Sequence, residues 1–323
     1  MMDRRVFGLG LIGVVAGSPP ISAQIAKPPG KIGYVHPVTI SPSHITRSIL
    51  SGEWRKLGYI EGESVLLRSA DSDPARLPEV IAALLGQGVN VLIVVGAETV
   101  RAAVEVAKAT PIVAIDLETD PVRSGLVASY ARPGGNVTGL FLDLPVLAGK
   151  WIGLLREAAP DLERVILLWD PASGPDQLKI AIEVAQTLGL DARVLEIPKL
   201  GDLERAFESL ERRRAGIVYL TSPGLTLTAA ALAAAAQKYR LPSISHLKAI
   251  AQAGVMMSYG PNQEDYFPRA VDLADKILRG GRVGDIPIER PARFDFTVNL
   301  KTARALGLAI PPALVATADE VIE

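Results

Sequence analysis

The sequence predicts an α/β protein made of two lobes, each a parallel sheet wrapped by helices. Three observations carry this. Short β-branched runs recur along the chain and are apolar throughout rather than alternating, as in strands buried on both faces. Amphipathic stretches of helical period lie between them, so strand and helix alternate. Four such runs in the first half are followed, about 130 residues on, by four more in the same order, which favours two sheets of like topology over one large sheet.

Taken in order, the strand-like runs of the first half are 32–35, 65–69, 91–95 and 112–115. Those of the second half are 165–169, 193–197, 217–220 and 243–245. Helical periodicity covers 43–57, 74–85, 99–107, 176–188, 203–213 and 227–239, with Gly58, Gly86, Gly88 and Gly189 placed as helix-ending glycines. The turn Pro133-Gly134-Gly135-Asn136 and the strand-like 137–142 lie near the junction and suit a crossover. Beyond Gly260 come a helix at 264–278, a Gly280-Gly281 turn, a strand-like 294–298 and a last helix at 300–306. These late elements need homes in both lobes, so the chain crosses more than once. The expected division is a first lobe of 24–140 with a returning segment of about 260–285, and a second of 141–259 with about 286–323.

Residues 1–23 are expected to be a leader rather than part of the fold. Arg4 and Arg5 precede an apolar stretch from Val6 to Gly17, followed by Ser18-Pro19-Pro20 and the small-residue exit Ile21-Ser22-Ala23. That is the three-part pattern of a secretory signal peptide, and the apolar stretch falls short of the roughly 20 residues of a membrane span. Arg4-Arg5-Val6-Phe7 also matches part of a twin-arginine signal. Gly8-Leu9-Gly10-Leu11-Ile12-Gly13 spells a dinucleotide fingerprint, but it has no strand before it and lies inside the leader. The mature chain is expected to be exported and not inserted in a membrane.

Composition excludes several classes. With 34 Lys+Arg against 35 Asp+Glu and a pI near 6.4, the chain lacks the electrostatic footprint of a nucleic-acid binder. The absence of cysteine removes disulfides, thiolate metal sites, thiol nucleophiles and a lipidated N-terminal cysteine. Three histidines, His36, His44 and His246, make a histidine-rich metal site unlikely to form, and no metal or cofactor is expected. Neither a G-x-S-x-G nor an H-E-x-x-H motif occurs, nor a phosphate loop ending in Gly-Lys-Ser/Thr. Asp116-x-Glu118-x-Asp120 begins like a calcium loop but lacks its glycine and distal glutamate. Arg212-Arg213-Arg214 reads as a solvated helix end, Trp169 as core, and His44 as a surface residue at a helix start.

In open α/β sheets, ligands bind beyond the carboxyl ends of the strands. In the first half those ends carry His36, then Gly96-Ala97-Glu98-Thr99, then Asp116, Leu117 and Glu118. In the second they carry Asp170, Thr221, Ser222 and Pro223, then His246, with Tyr259 on a later crossing. Gly96 to Thr99 is the best-motivated place. The glycine lets backbone approach a ligand, and the helix that follows presents free N–H groups to a carboxylate. Glu98 has two readings: an acid favoured by the helix dipole, or a partner for a ligand ammonium.

A family resemblance covers nearly the whole chain after the leader. It is carried by Leu57-Gly58-Tyr59-Ile60-Glu61-Gly62, Asp73-Pro74-Ala75-Arg76-Leu77-Pro78, Asp120-Pro121-Val122 and Gly125-Leu126-Val127-Ala128-Ser129. The run from Ala131 to Leu140 (ARPGGNVTGL) and the ending Ala318-Asp319-Glu320-Val321-Ile322 are its most specific parts. Leu168-Trp169-Asp170-Pro171, Met257-Ser258-Tyr259-Gly260-Pro261 and Asn299-Leu300-Lys301-Thr302-Ala303 complete it. In these the chain resembles the ABC-transporter substrate-binding proteins of the tryptophan/tyrosine transport type. The resemblance implies the type I periplasmic-binding-protein fold, two Rossmann-like lobes with a hinged cleft, and no catalysis. Its ligand loops fall on Gly96–Thr99, Leu117–Thr119, Asp170, Ser222-Pro223, His246 and Tyr259. Glu98 departs from the small or hydroxyl residues common there, and the stretch from His36 to Ser43 is unusually proline-rich.

The expected function is an exported, periplasmic solute-binding protein that captures a small carboxylate-bearing ligand, an amino acid or an aromatic or organic acid. It would deliver that ligand to an inner-membrane ABC permease and its ATPase. A ligand-sensing module for a membrane receptor and a secreted α/β hydrolase are the alternatives.

Overall fold

The structure, a computed structural model, describes residues 28–42, 44–71, 73–116, 118–142, 144–197, 207–208, 213–222 and 229–323. The expected leader, the Gly8–Gly13 run and nearly all of the expected helix at 203–213 lie outside these residues.

Five strands form the first sheet: β1 (Ile32–His36), β2 (Val65–Ser69), β3 (Val91–Val95), β4 (Ile112–Asp116) and β5 (Val137–Phe141). Their order is β2-β1-β3-β4-β5, all parallel. The continuous apolar runs serve two cores. Ile32, Tyr34, Val91, Ile93, Val95, Val113 and Ile115 face one side, while Val35, Leu92, Val94, Ile112 and Ala114 face the other. Helices α1 (Ile45–Lys56), α2 (Leu77–Gly86) and α3 (Ala97–Val106) follow their strands. Leu50 and Trp54 of α1 join the first core; Leu77, Ile81 and Leu84 of α2 and Val100 and Ala103 of α3 join the second. His44 is more than a surface residue: it is the half-buried N-cap of α1, its ring nitrogen accepting from Thr46 N–H at 3.3 Å.

Among the described residues the second sheet has seven strands. β6 (Arg164–Trp169), β7 (Asp191–Glu196), β8 (Ala215–Tyr219) and β9 (Ser243–Ser245) are joined by β10 (Met257–Pro261), β11 (Phe294–Asn299) and β12 (Glu320–Ile322). The order is β12-β11-β10-β9-β8-β6-β7, parallel except where β11 meets β10. Among the described helices, α4 (Leu147–Ala158) and α5 (Asp176–Thr187) cover one face, with Leu155, Ala181 and Ala185 against Val165, Leu167 and Val218. α6 (Ala229–Lys238) and α7 (Lys248–Gln252) cover the other through Leu232, Ala233, Ala236 and Ile250.

The longest described helix, α8 (Gln263–Leu278), returns to the first sheet, where Tyr266, Phe267, Ala270, Val271 and Ala274 close its α1 face. α9 (Leu300–Leu306) and α10 (Pro312–Val315) end the helical part. The chain therefore passes between sheets three times: after β5, after β10, and after Glu289.

Residues 137–142 are not themselves a crossover. Residues 137–141 are the last strand of the first sheet, and the crossing follows them. The physical reason is burial on both faces, made possible by Gly139, which stands opposite Ala114 with φ 142°. The outer edge of β5 is satisfied by returning chain: Glu289 N–H donates to Gly139 O at 2.9 Å and Phe141 N–H to Glu289 O at 3.0 Å. Thr138 Oγ1 donates to Ile286 O at 2.9 Å. Residues 286–289 thus lie along the first sheet, and the last crossing comes after them rather than at about 286. A strand edge so covered offers no template for pairing with another chain.

Candidate ligand-binding cleft

Parallel strands carry their carboxyl ends to one side, and here the two sets of ends face each other. The single 3-10 turn after β6, Pro171–Ser173, packs on α3 of the other sheet. The electrostatic neighbours say the same: Asp170 acts on both Glu98 and Glu118, and the Ser173 hydroxyl lies beside the Glu118 carboxyl.

On the first sheet, β3 runs into α3 through Gly96, whose φ of 87° turns the chain without a side chain to cap the helix. First-turn N–H groups of an α-helix have no partner within the helical ladder and carry partial positive charge. Thr99, in that turn, is fully buried, and its hydroxyl has no hydrogen-bond partner among the described residues. Glu98 is half-buried, with Arg101 one turn on at 4.0 Å. Burial raises the Glu98 carboxyl, Arg101 offsets part of this, and Asp170 adds to it.

β4 ends in Asp116, fully buried at its carboxyl end. Oδ1 accepts from the N–H of Glu118 at 2.8 Å and of Thr119 at 3.0 Å, which fixes the loop; Oδ2 has no partner among the described residues. Glu118 is itself buried. Its carboxyl is pushed well above the ordinary range, first by burial and then by the charges of Asp116 and Asp170.

On the second sheet, Asp170 follows β6 and its Oδ2 accepts from Ser222 Oγ at 2.5 Å. Gln177 in α5 accepts from Thr221 N–H at 2.9 Å. Its Nε2 and the Thr221 hydroxyl, both buried, have no partner among the described residues. His246 follows β9 and is buried; burial lowers its imidazole to about 3, so the ring is neutral, and Nδ1 has no partner among the described residues. Trp151 of α4 tilts toward it at 6.4 Å and donates Nε1–H to Tyr259 O at 2.6 Å. A Cβ on Gly260 would lie 2.0 Å from His246 O, so glycine alone lets β10 pack against that backbone.

The structure therefore gathers Gly96 to Thr99, Glu118, Asp170 and Ser222 around facing strand ends, with His246 at the end of a neighbouring strand. Two expected residues are engaged elsewhere. The Tyr259 ring stacks on Phe294 at 5.9 Å and meets Phe296 and Lys150, leaving its carbonyl as the link to Trp151. His36 is buried, with Nδ1 at 2.9 Å from Val38 O in its own loop and its ring against Tyr34. Leu117 and Pro223 lie outside the described residues. Asp116 and Thr221, expected at strand ends, are buried polar groups, and Ser173 and Gln177 join them from beyond the expected set. Asp116 and Thr221 were visible as strand ends, whereas Ser173 and Gln177 reach the cleft by a turn and a helix that no motif marks. Trp169 is half-buried and donates Nε1–H to Gly174 O at 3.0 Å. Among the described residues no group of three or more His, Asp or Glu is placed to hold a metal ion, and no helix is long and apolar enough to cross a membrane.

Two lobes whose strand ends meet around buried polar groups form a cleft of the kind in which α/β proteins hold a ligand. A family profile described as ABC transporter substrate binding protein matches residues 44–322, and the chain belongs to that family. It is a substrate-binding protein and not an enzyme, as its relatives are. A curated relative, the "Tyrosine-binding protein" of Clostridioides difficile (strain R20291), is 22% identical over 256 residues, covering 78% of this chain and 73% of the relative. A conserved domain protein from Vibrio cholerae shares the fold with TM-score 0.80 and 23% identity, over 90% of this chain and 99% of the other. An ABC domain in complex with L-Trp from Streptococcus pneumonia does so with TM-score 0.78 and 18% identity, over 91% and 99%.

Proposed function

We propose that this protein captures an α-amino acid in the interlobe cleft and delivers it to an inner-membrane ABC permease and its ATPase. The observation that carries the reading is the pairing of opposite tendencies in one place. Free N–H groups at the start of α3 suit a carboxylate. The acids Glu118 and Asp170, one from each lobe, suit an ammonium, and the nearby cation Arg101 is engaged by Glu98. A plain organic acid would bring those carboxyls no cation, while a zwitterion satisfies both ends. A relative named for tyrosine binding and a structural neighbour in complex with L-Trp support an amino acid and favour an aromatic one. Contacts to both lobes at once stabilise the closed form over the open one. The leader pattern of residues 1–23 supports export to the periplasm, which is where such a protein meets its permease.

The test is a thermal-shift and calorimetry panel on the purified protein with L-tyrosine, L-tryptophan, their decarboxylated amines, and their deaminated acids. An amino acid at 100 times its Kd adds about 2.7 kcal/mol, a rise of several degrees. Both truncated analogues are expected to bind at least tenfold more weakly. Stronger binding by the deaminated acids would overturn the zwitterion reading.

A further inference from the structure

The acids around the cleft are not equivalent. Glu98 is partly exposed and paired along its own helix with Arg101. Asp170 is half-buried and receives the Ser222 hydroxyl. Glu118 is 8% exposed, its N–H donates to Asp116 Oδ1 at 2.8 Å, and the charges of Asp116 in its own lobe and Asp170 in the other act on its carboxyl. The charged and polar groups facing it are Asp116 at the end of β4, Asp170 and Ser173 after β6, and Arg101 on α3. Beside it, Asp116 Oδ2 is a second buried acceptor with no donor among the described residues.

A buried carboxyl beside a second buried carboxyl either holds a proton or takes a cation as its partner, and among the described residues no group of three acids is placed to hold a metal ion. Resting on the amino-acid reading, we propose that Glu118 specifies the ligand's ammonium and exchanges a proton for it. In the unliganded cleft Glu118 is a neutral acid. When R–NH3+ docks, the Glu118 O–H bond breaks, its proton goes to water, and the resulting carboxylate accepts N–H from the ammonium beside Asp116 Oδ2. Charge in the cleft is then balanced: one positive group in, one proton out. A ligand without a cationic nitrogen gives Glu118 no reason to ionise, so this residue discriminates amino acids from their deaminated analogues.

The measurement is titration calorimetry of the protein with L-tryptophan and L-tyrosine at pH 6 to 8, each in phosphate and in Tris. The two buffers differ in ionisation enthalpy, so their apparent binding enthalpies separate in proportion to protons released. Release approaching one proton is expected, with affinity rising close to tenfold per pH unit where release is complete and less steeply where Glu118 is already partly ionised. Glu118→Gln is expected to abolish the release, flatten the pH dependence and weaken binding at least tenfold, with a retained far-UV spectrum. Should the wild type bind neither amino acid, the amino-acid reading fails and this inference with it. Should it bind with equal enthalpies in both buffers and a flat pH profile, the proton exchange alone is overturned. Release persisting undiminished in Glu118→Gln but lost in Asp170→Asn would remove Glu118 from the role. The wild-type comparison in two buffers stands even if a variant fails to fold.

Discussion

Replacing Gly139 with alanine should leave little folded protein at 37 °C. An ideal Cβ at this position lies 2.0 Å from Ala114 O and 2.5 Å from Ala114 N, both backbone atoms of the neighbouring strand. A flexible side chain could rotate away from such a contact; a strand backbone cannot. The φ of 142° adds strain for any residue with a Cβ. Relief requires separating β5 from β4, and the same movement disturbs the bond from Glu289 N–H to Gly139 O. Loss of more than about 4 kcal/mol is expected, a large part of the roughly 5–15 kcal/mol typical of a folded protein. Gly135 in the same sequence run is the control, since nothing lies within 4 Å of its ideal Cβ. Gly135→Ala should stay within about 0.5 kcal/mol of the wild type. Urea melts decide it: equal midpoints for Gly139→Ala and the wild type would refute the packing account.

The second large effect is on acid stability. His36 and His246 are both enclosed, and burial lowers their imidazoles to about 4 and about 3 from the ordinary 6.5. An unfolded histidine takes up a proton below about 6.5, while these two stay neutral until far lower pH. The unfolded state therefore binds more protons in that window, and stability contributed by these groups is lost as pH falls. Each contributes a slope approaching about 1.4 kcal/mol per pH unit near pH 5. Glu118, Glu98 and Asp272 act in the opposite sense, because their raised carboxyls favour the folded state as they protonate. The total slope is a difference, and a variant isolates the histidine. His246→Gln should flatten the pH dependence of the unfolding free energy between pH 6.5 and 4.5 by close to one proton. An unchanged slope would mean that His246 is already protonated or solvated in the folded protein.

How far the sequence could be read follows from where its information sits. The run at 91–95 coincides with β3, where burial of every residue leaves little freedom in composition, and the runs at 65–69 and 243–245 coincide with β2 and β9 although Arg68, Ser69, Ser243 and Ser245 interrupt their apolar character. Strand-end residues were legible for the same reason: Gly96 and Asp116 stand where such runs stop. Other features are not written locally. Residues 147–158 form α4 with no cap or terminal glycine to announce it, since Val146 and Ala159 flank it without side-chain caps. β12 is three residues long and exists through pairing with β11. The meeting of Glu118 with Asp170 depends on how two lobes oppose each other, which no spacing along the chain encodes. Gly139 belongs to the run from Ala131 to Leu140, but the reason for a glycine there, the approach of Ala114, belongs to the sheet.

The three passages between sheets also set an order of events for a chain made from its N-terminus. β1 to β5 emerge first, yet the wall formed by α8 and the edge strip at 286–289 arrive only after β6 to β10 have been made. The second sheet in turn waits for β11 and β12 at the very end. Neither lobe is a covalently continuous unit, so neither holds its complete core until synthesis is nearly finished. Larger chains commonly fold domain by domain as they emerge. In this chain the order of elements leaves both halves to complete their cores late, each from segments made after the other has begun.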